Sequence, residues 1–339
     1  MGSVKDLTII KKPTSDQPGR GRFVFSDRYS VFDWGEMPDH IEDKGAAICL
    51  VTAYFFEKLE EAGIKTHYRG IVENGKAKKL MELEQPSNIL EIDLVRVIKP
   101  KVKGDSYDYT PLKEQKANFL IPIEIIYRNS LPASSSVFKR LKSGQLQLED
   151  IGLDKMPEPG QKLKPPILDV STKLEMTDRY ISWEEAQQIC NLSNQELNNI
   201  KQLLLTVDDH ISREVEKIGL TNEDGKIELG FDENREIMVV DALGTLDESR
   251  FTFDGKSVSK EIARKYYRNT EWSEKINSAK KQNRLNWKDL VKTPPPPLPE
   301  KLSQAISNIY KAYANEITGR NWFETSSLHE ILEEIEDIK

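Results

Sequence analysis

Three charged residues alternate along the segment GLTNEDGKIELG, which begins at Gly219. In a β-strand side chains repeat every two residues, so Asp224, Lys226 and Glu228 would leave the same face of a sheet. The turn signal FDENRE follows, and IMVVDALGTLDESRF then predicts an apolar strand that ends in Asp241. The chain is therefore expected to contain a hairpin with ionised side chains on one face.

Further polar residues follow this hairpin, at Asp247, Ser249 and Arg250. The hairpin would bring two carboxylates, one ammonium and one guanidinium together at one end of a sheet. Two facing carboxylates suit Mg²⁺, which takes one or two protein carboxylates plus phosphate oxygens and water. Lys and Arg suit phosphate groups. The alternative is a solvated face carrying salt bridges, which is the usual fate of alternating charges.

The composition narrows the class of protein. With 339 residues, of which 37% are hydrophobic and 31% charged, the chain is expected to be a soluble globular protein of about two domains. The net charge of −7 gives no general electrostatic reason to bind nucleic acid, but allows a local basic pocket for a small phosphorylated ligand. No apolar run reaches the roughly 18 residues of a membrane span, and the N-terminus lacks a signal-peptide core. We expect a cytoplasmic protein without a membrane partner.

The cysteines and histidines give no sign of a metal or nucleophilic site. Cys49 and Cys190 lie in apolar helical patterns and are expected to be small buried hydrophobic residues. The four histidines are too scattered for a zinc motif. Nothing in the sequence has the pattern of a Ser/His/Asp or Cys/His nucleophile.

Short strands dominate the predicted first third of the chain. A helix from about Ala46 to Ala62 has an apolar stripe and ends at Gly63. The pattern predicts an antiparallel sheet with this helix on one face, in a domain over residues 1–120. Its predicted strands are GRFVFSD, THYRGIVE, KKLMELE, NILEIDLVRVIKP and NFLIPIEIIYRN.

Helices dominate the predicted remainder, a second domain over residues 121–322. Two capping boxes, Ser182 with Glu185 and Ser193 with Glu196, predict two helix starts. A short helix in VFKRLKSG, a helix over 257–269, a polyproline spacer PPPPLP and a core-facing helical stripe over 302–317 are also predicted. The tail over 323–339 is acidic and carries an amphipathic pattern from Leu328 to Ile338.

Several separated motifs, taken in order, resemble those of the phosphoribosylaminoimidazole-succinocarboxamide synthases, the SAICAR synthetases of purine biosynthesis. The resemblance runs from about Arg22 to Trp322. The motifs are FVFSDRYSVFDWGEMPDHIEDKG, IPIEIIYRN, VSTKLE, the strand DGKIELG, the segment DALGTLDESRF, and GRNW near the C-terminus.

The resemblance implies an α+β fold with two lobes: an antiparallel-sheet N-terminal lobe and a larger α/β C-terminal lobe, with ATP in the cleft between them. In this family ATP activates the carboxylate of carboxyaminoimidazole ribotide (CAIR) as an acyl phosphate, and the amine of L-aspartate displaces phosphate. The partners implied are these small molecules, with Mg²⁺ as cofactor; a homo-oligomer is compatible with the sequence.

The resemblance also assigns residues. Glu228 and Asp241 match magnesium-associated carboxylates that bridge the ATP phosphates, Lys226 a lysine near the reacting phosphoryl group, and Asp224 a contact to the ribotide. The remaining matches are Arg128, Arg250 and either Ser134 or Ser136 at the carboxylate or phosphate of the ribotide, Ser249 and Asp33 as substrate contacts, Lys116 and Glu124 along the nucleotide pocket, Lys173 facing phosphate, and Asp27, Arg28 and Ser30 in the shared loop.

The chain departs from the family pattern at three places. KKPTSDQPGRGRF stands where the family has a GKxRDxY loop over the ATP phosphates, and Lys11, Lys12, Gly19 and Gly21 are the candidates for a substitute. Ala242 replaces a Glu, and the glycine after RN is absent. Two other functions stay open: a paralogous ligase for another azole carboxylate or amine, and a non-catalytic nucleotide-binding protein.

Overall fold

The computed structural model describes residues 4–104, 106–283 and 286–335. Within these ranges the chain combines helices with antiparallel sheets. The strands are β1 (Lys5–Lys11), β2 (Gly19–Phe25), β3 (Tyr68–Glu73), β4 (Lys76–Lys78), β5 (Ile89–Leu94), β6 (Lys101–Lys103), β7 (Ser106–Asp108), β8 (Phe119–Leu131), β9 (Gln161–Thr172), β10 (Thr221–Phe231), β11 (Ile237–Val240), β12 (Ser249–Phe253) and β13 (Lys256–Val258). The helices are α1 (Lys44–Glu61), α2 (Thr110–Lys113), α3 (Ser136–Lys142), α4 (Trp183–Cys190), α5 (Asn194–Glu216), α6 (Glu261–Arg268), α7 (Glu271–Gln282), α8 (Trp287–Leu290), α9 (Glu300–Thr318) and α10 (Leu328–Ile335).

The first sheet has the order β1-β2-β5-β3-β4. Its edge strand β1 was not predicted, since only the four residues from Asp6 to Ile9 alternate between polar and apolar before Ile10 breaks the pattern. The prediction of one strand over KKLMELE is wrong: β4 ends at Lys78 and a 3₁₀ turn covers Leu80–Glu82. The Glu82 carboxylate accepts a hydrogen bond from the Lys79 backbone N–H at 2.9 Å, which holds the turn.

Helix α1 packs on this sheet, as predicted. Its stripe of Ile48, Val51, Phe55 and Leu59 is buried, and the same helix also packs against α9. Gly63 follows the helix with φ of 78°, a left-handed conformation that a glycine adopts without steric cost.

The second sheet has the order β13-β12-β10-β8-β9, and β11 pairs with β10 outside that row. The segment NFLIPIEIIYRN was counted with the first sheet; it forms β8, which lies in this second sheet instead. β8 is buried along most of its length because it lies between β10 and β9. The predicted hairpin is β10 and β11, with Glu228 opposite Val240.

Both predicted helix starts are confirmed, and one of the two predicted capping boxes forms in full. The Ser182 hydroxyl accepts a hydrogen bond from the Glu185 backbone N–H, at the start of α4. Ser193 and Glu196 form a reciprocal capping box at the start of α5. This helix lays its apolar stripe on β10 and β8.

The C-terminal helices differ from prediction in the start of α6 and in two helices that were not predicted, α7 and α8. The helix expected from Ser257 begins at Glu261, because residues 256–258 pair with β12 as β13. α9 and α10 form as expected and pack on each other. Ile338 of the predicted tail pattern lies outside the described residues.

One hydrophobic cluster runs through both sheets and the helices between them. Cys49 and Cys190 are free and buried in it, and burial raises the pKa of both thiols, as expected for inert core residues. The division into domains at residues 120 and 322 stays a prediction. Over the described ranges, no helix is both long enough and apolar enough to cross a bilayer.

Candidate active site

A row of charges crosses three neighbouring strands of the second sheet. Asp224 on β10 lies directly opposite Arg128 on β8 and directly opposite Arg250 on β12. Nε of Arg250 donates to Oδ1 of Asp224 at 2.7 Å, and Nη1 of Arg128 donates to its Oδ2 at 3.3 Å. One carboxylate therefore holds two guanidinium groups side by side, which is a pattern suited to a phosphate or carboxylate ligand.

Two serines of the segment SSS, which covers residues 134–136, contact the two arginines of this row. The Ser134 hydroxyl accepts a hydrogen bond from Nη1 of Arg250 at 3.0 Å, and the Ser136 hydroxyl accepts one from Nη2 of Arg128 at 3.4 Å. The sequence left open which serine belongs to the site; the structure brings both to it. The Ser134 hydroxyl would remain able to donate to an anion, whereas the Ser136 hydroxyl donates to the Tyr180 hydroxyl at 2.9 Å.

Two residues beside Arg128 were not predicted. Asp169 on β9 receives hydrogen bonds from Arg128 at 3.0 Å and from Arg140 on α3 at 2.5 Å. Arg140 also stacks on the Tyr180 ring, at 4.0 Å from its centroid. The KR pair of VFKRLKSG was the only sequence signal for Arg140, and such pairs are ordinary on helix surfaces.

Close packing against β10 requires a glycine at position 225, between Asp224 and Lys226. A Cβ at this position would lie 2.2 Å from the Tyr127 hydroxyl and 2.8 Å from Oγ of Ser249. The buried Tyr127 thus packs against the β10 backbone and fixes the strand between the two charged residues. Ser249 lies beneath the row, where its hydroxyl is 3.5 Å from that of Tyr127.

Lys226 lies next along the same face of β10. Its Nζ donates to Oε1 of Glu124 at 2.8 Å and lies 3.2 Å from Oε2 of Glu248. Burial opposes the charge of Lys226, but Glu248 and Glu124 hold its pKa well above the usual range. The lysine is therefore a fixed cation, while its side chain keeps contact with the cavity described below.

Glu228 and Asp241 come together beyond Lys226. Burial, and then the charge of Asp241, raise the pKa of Glu228 to about 7. Burial opposes the charge of Asp241 as well, but Lys5 and Lys173 hold its pKa below the usual range. Lys173 forms an ion pair with Glu228, and Lys5 Nζ lies 2.5 Å from Oδ1 of Asp241.

The predicted hairpin cluster therefore divides into two groups. The sequence predicted that the charges gather at one end of the sheet, and this is wrong: Asp224 and Arg250 form one group, Glu228 and Asp241 another, with Lys226 between them. Strands rise by about 3.3 Å per residue, so alternate side chains on one face are spread along β10 instead of converging.

The donor set of Glu228 and Asp241 fits a magnesium ion that takes its other ligands from phosphate and water. The charge of Asp241 raises the pKa of Glu228, and repulsion between two neighbouring carboxylates is relieved by a shared cation. In the part of the chain that the structure describes, no group of three or more His, Cys, Asp or Glu residues could hold a metal alone. Such an ion would thus depend on ligands from a substrate.

A cavity of about 540 Å³ opens beside the two arginines. Its wall includes Arg128, Arg250 and Lys226 from the second sheet, and three groups that were not predicted: Asp178, Lys260 and Arg264. Asp178 lies three residues beyond the VSTKLE segment, whereas Lys260 and Arg264 lie in a segment for which only a helix was predicted.

Asp247 takes a structural part in the same wall. Its carboxylate is 2.7 Å from Nζ of the buried Lys44 and accepts a hydrogen bond from the Tyr310 hydroxyl at 2.6 Å. Burial opposes the charge, but Lys44 and Lys260 hold the pKa of Asp247 below its usual range. These contacts tie the end of the hairpin to α1 and α9.

The loop SDRYSVFD, residues 26–33, contributes residues to structural contacts and to the lining of the cavity. Asp27 accepts a hydrogen bond from the Gly45 backbone N–H at 2.9 Å, and Arg28 pairs with Asp6 at 2.8 Å. Ser30 and Asp33 line the cavity, and Asp33 pairs with Lys280 at 3.0 Å.

Lys116 is not brought to the charged cluster by any contact in the described ranges. It is exposed, and its backbone carbonyl accepts a hydrogen bond from Nη1 of Arg235 at 2.7 Å. Glu124, which was predicted with it, lies between Lys226 and Lys173.

The segment that replaces the expected phosphate loop is a β-hairpin between β1 and β2. Asn118 donates hydrogen bonds to the carbonyls of Thr14 and Gln17, and so ties the loop to the start of β8. The face of β1 that begins with Lys5 continues with Leu7 and Ile9, because side chains alternate along a strand. The cation of β1 that reaches Asp241 is Lys5, which is 236 residues away from it in sequence. No sequence pattern indicated this contact.

The chain was compared with known proteins. The family model described as SAICAR synthetase matches residues 10–279. A protein of Archaeoglobus fulgidus, provisionally named phosphoribosylaminoimidazole-succinocarboxamide synthase, is 54% identical over 338 residues, covering 100% of this chain and 99% of its own. The Thermoplasma acidophilum protein of that name is 32% identical over 307 residues, covering 88% of this chain and 93% of its own. A SAICAR synthetase structure in complex with ADP has a TM-score of 0.60 at 21% identity, covering 94% of this chain and 97% of its own.

Proposed function

Because the chain belongs to the SAICAR synthetase family, we propose that it joins L-aspartate to carboxyaminoimidazole ribotide at the expense of ATP. The products are SAICAR, ADP and phosphate. This is ligase chemistry that forms a carbon–nitrogen bond, and it belongs to de novo purine biosynthesis.

One observation carries the proposal: the Arg128–Asp224–Arg250 row and the Glu228–Asp241 pair stand on either side of Lys226. The row suits the phosphate or carboxylate of the ribotide. The carboxylate pair suits the phosphates of ATP, through a cation. Lys226 then lies where the phosphoryl group passes from one substrate to the other.

The chemistry explains why fixed cations are needed. A carboxylate is a poor acyl donor because its leaving group would be oxide, and phosphorylation supplies a better one. Negative charge is shared among phosphoryl oxygens during this transfer, so positioning and charge neutralisation are the main tasks of the enzyme. Lys226, whose pKa is held high by Glu248 and Glu124, remains charged throughout.

Glu228 and Asp241 would hold Mg²⁺ against the ATP phosphates. The ion supplies charge neutralisation at the transferring phosphoryl group. The residues themselves set its place: Glu228 is 5% exposed on β10, and Asp241 follows β11 directly. Lys173 and Lys5 balance the two carboxylates in the absence of that ion.

Release of ADP tests the proposal. The purified protein with ATP, Mg²⁺ and the carboxylated ribotide should release ADP at a sustained rate when L-aspartate is added, and SAICAR should accumulate in equal amount. Other amino acids, offered in turn, measure selectivity for the amine. Turnover with another amine but not with aspartate would support a paralogous ligase, and ATP binding without any turnover would support a binding protein.

A further inference from the structure

Asp178 stands on a short loop that connects the two halves of the site. The loop follows β9 and runs from Lys173 to Tyr180. Lys173 pairs with Glu228 at one end, and Tyr180 contacts Arg128 and Ser136 at the other. Its middle therefore lies beside the place where an activated carboxylate would form, between the phosphate half and the arginine half.

The loop is held in place by several hydrogen bonds. The Thr172 backbone N–H donates to the Arg179 carbonyl at 2.9 Å, and the Arg179 N–H donates to the Thr172 hydroxyl at 3.1 Å. Tyr107 and Tyr109, near the β6–β7 hairpin, contact Met176 and Glu175 from outside. This closed turn presents Asp178 to the cavity on a supported backbone.

Asp178 differs from the other carboxylates of the cavity wall. Each of those has a cationic partner: Asp33 has Lys280, Asp224 has Arg250, Asp247 has Lys44 and Glu248 has Lys226. Among the described residues, no hydrogen bond or ion pair engages the carboxylate of Asp178. It is therefore the wall carboxylate whose oxygens remain available to a ligand.

The proposed function contains a proton transfer to which the residues discussed so far contribute no acceptor. An amine that attacks an acyl phosphate gains positive charge as its bond to carbon forms, and it must lose a proton to become an amide. Lys226 and Arg128, whose pKa values are raised, cannot accept it, and Lys260, whose pKa burial lowers, has its Nζ engaged by the Asp247 carbonyl. The other wall carboxylates are already paired. A free carboxylate in the wall fits this task.

We infer that Asp178 accepts the proton of the attacking amine, an inference that rests on the proposed function. The nitrogen lone pair forms the bond to the acyl carbon, and one nitrogen-bound hydrogen passes to a carboxylate oxygen of Asp178. The bond from carbon to the phosphate oxygen breaks, and phosphate leaves with that electron pair. The acid form of Asp178 then returns its proton to solvent, to which the side chain is exposed.

The surroundings of Asp178 suit a proton acceptor near neutral pH. Partial burial and the charge of Glu124 raise the pKa of Asp178 to about 6, against the opposing effect of Lys226 and Lys173; Asp33 adds a further negative charge. A base with a pKa just below the working pH is ionised yet still able to hold a proton in the transition state.

Hydroxylamine separates the proton-transfer role from the formation of the acyl phosphate. It is uncharged at pH 7 and attacks acyl phosphates without the help of a base. Two assays follow: amide formation with L-aspartate, and hydroxamate formation with hydroxylamine in its place. The variants are Asp178→Asn and Asp178→Glu, with Asp209→Asn on the exposed face of α5 as the matched control.

We expect Asp178→Asn to lower kcat for amide formation by about 10²-fold or more, and to leave hydroxamate formation and the KM for ATP and the ribotide close to wild type. Asp178→Glu should recover part of the loss. The fall of the wild-type rate at acid pH combines protonation of Glu228, whose pKa is about 7, with that of Asp178, whose pKa is about 6, and Asp178→Asn should lose the lower of these two steps.

Equal losses in both assays would overturn the inference, because they would show a structural role, and so would a wild-type rate of amide formation in Asp178→Asn. A wild-type enzyme that forms neither amide nor hydroxamate would instead overturn the proposed function, and the inference with it.

Discussion

Arg250 lies directly opposite Asp224 across β12 and β10, and two of its guanidinium nitrogens donate to that carboxylate. The third nitrogen, Nη1, donates to Ser134 at 3.0 Å. The planar fork of arginine makes both contacts at once, and the contact to Asp224 fixes the direction in which the fork faces the cavity.

Arg250→Lys should therefore weaken the ribotide much more than ATP. The ammonium of lysine keeps the charge but cannot reach Asp224 with two nitrogens and Ser134 with a third. We expect the KM for the ribotide to rise by about tenfold or more, equivalent to the loss of one charged hydrogen bond of about 1.5 to 3 kcal/mol. Steady-state kinetics with each substrate varied in turn measures this. Arg213→Lys, on the exposed side of α5, is the control. An effect confined to the KM for ATP would show that Arg250 does not bind the ribotide.

Glu228→Gln and Asp241→Asn should each lower kcat by on the order of 10²-fold or more, because each removes a negative ligand from the proposed metal pair while keeping its size. Glu228 is buried, so circular dichroism and urea unfolding must accompany the assay. Variants that fold, bind substrates and turn over at the wild-type rate would eliminate the metal pair from the mechanism.

Lys226→Met should also reduce turnover steeply, because it removes the fixed cation between the two halves of the site and leaves Glu124 and Glu248 facing each other. ATP should still bind in the presence of Mg²⁺, as measured by calorimetry. Lys217→Met, at the exposed end of α5, tests whether loss of any lysine has this effect. Near-normal turnover of Lys226→Met would support the reading of β10 as an ordinary charged face.

ATP together with Mg²⁺ should raise the melting temperature more than ATP with EDTA. Ligands that bind only the folded state stabilise it by mass action, and the shared ion would tighten ATP binding. Thermal unfolding of wild type and of the double variant Glu228→Gln, Asp241→Asn measures the difference. The added shift with Mg²⁺ should vanish in the double variant; equal shifts with and without the metal in the wild type would argue against a metal-bridged pocket.

His67 should contribute a loss of stability at acid pH. Burial lowers its pKa to about 4, from an ordinary value of 6.5, and its ring packs against Phe23 and Phe56. Between these values the unfolded chain binds more protons than the folded one, so this contribution to stability falls as pH falls, by at most about 1.4 kcal/mol per pH unit.

Urea unfolding of wild type and His67→Gln at several pH values between 7.5 and about 4 tests this. The stability advantage of the wild type should shrink across that window, because the variant has no group to protonate there. His40→Gln, at an exposed position, is the control. A difference that stays constant with pH would contradict the expectation.

Helix starts are the features that sequence determined best. The hydroxyls of Ser182 and Ser193 each cap a helix by accepting a hydrogen bond from a backbone N–H only three residues away. This contact is local and needs no tertiary partner. The alternation of Asp224, Lys226 and Glu228 likewise determined that they share one face of β10, because strand periodicity is a local property.

Tertiary structure decided which of these charges meet. The row of Arg128, Asp224 and Arg250 exists because β10 lies between β8 and β12, and strand order cannot be read from any one strand. For the same reason β8 was counted with the wrong sheet. The contact of Lys5 with Asp241 joins residues 236 positions apart, and an unmarked edge strand supplies it.

Asp178 is another residue whose role depends on tertiary structure and not on local sequence. The sequence marked VSTKLE beside it but gave no reason to select one aspartate among many. Its lack of a partner is a relation to the whole wall, which consists of side chains from the second sheet, from the loops around residues 29–41 and 178–180, and from α6 and α9. Local patterns thus determined the elements and the faces that carry charge, whereas pairing, burial and availability depend on distant neighbours that only the folded chain brings together.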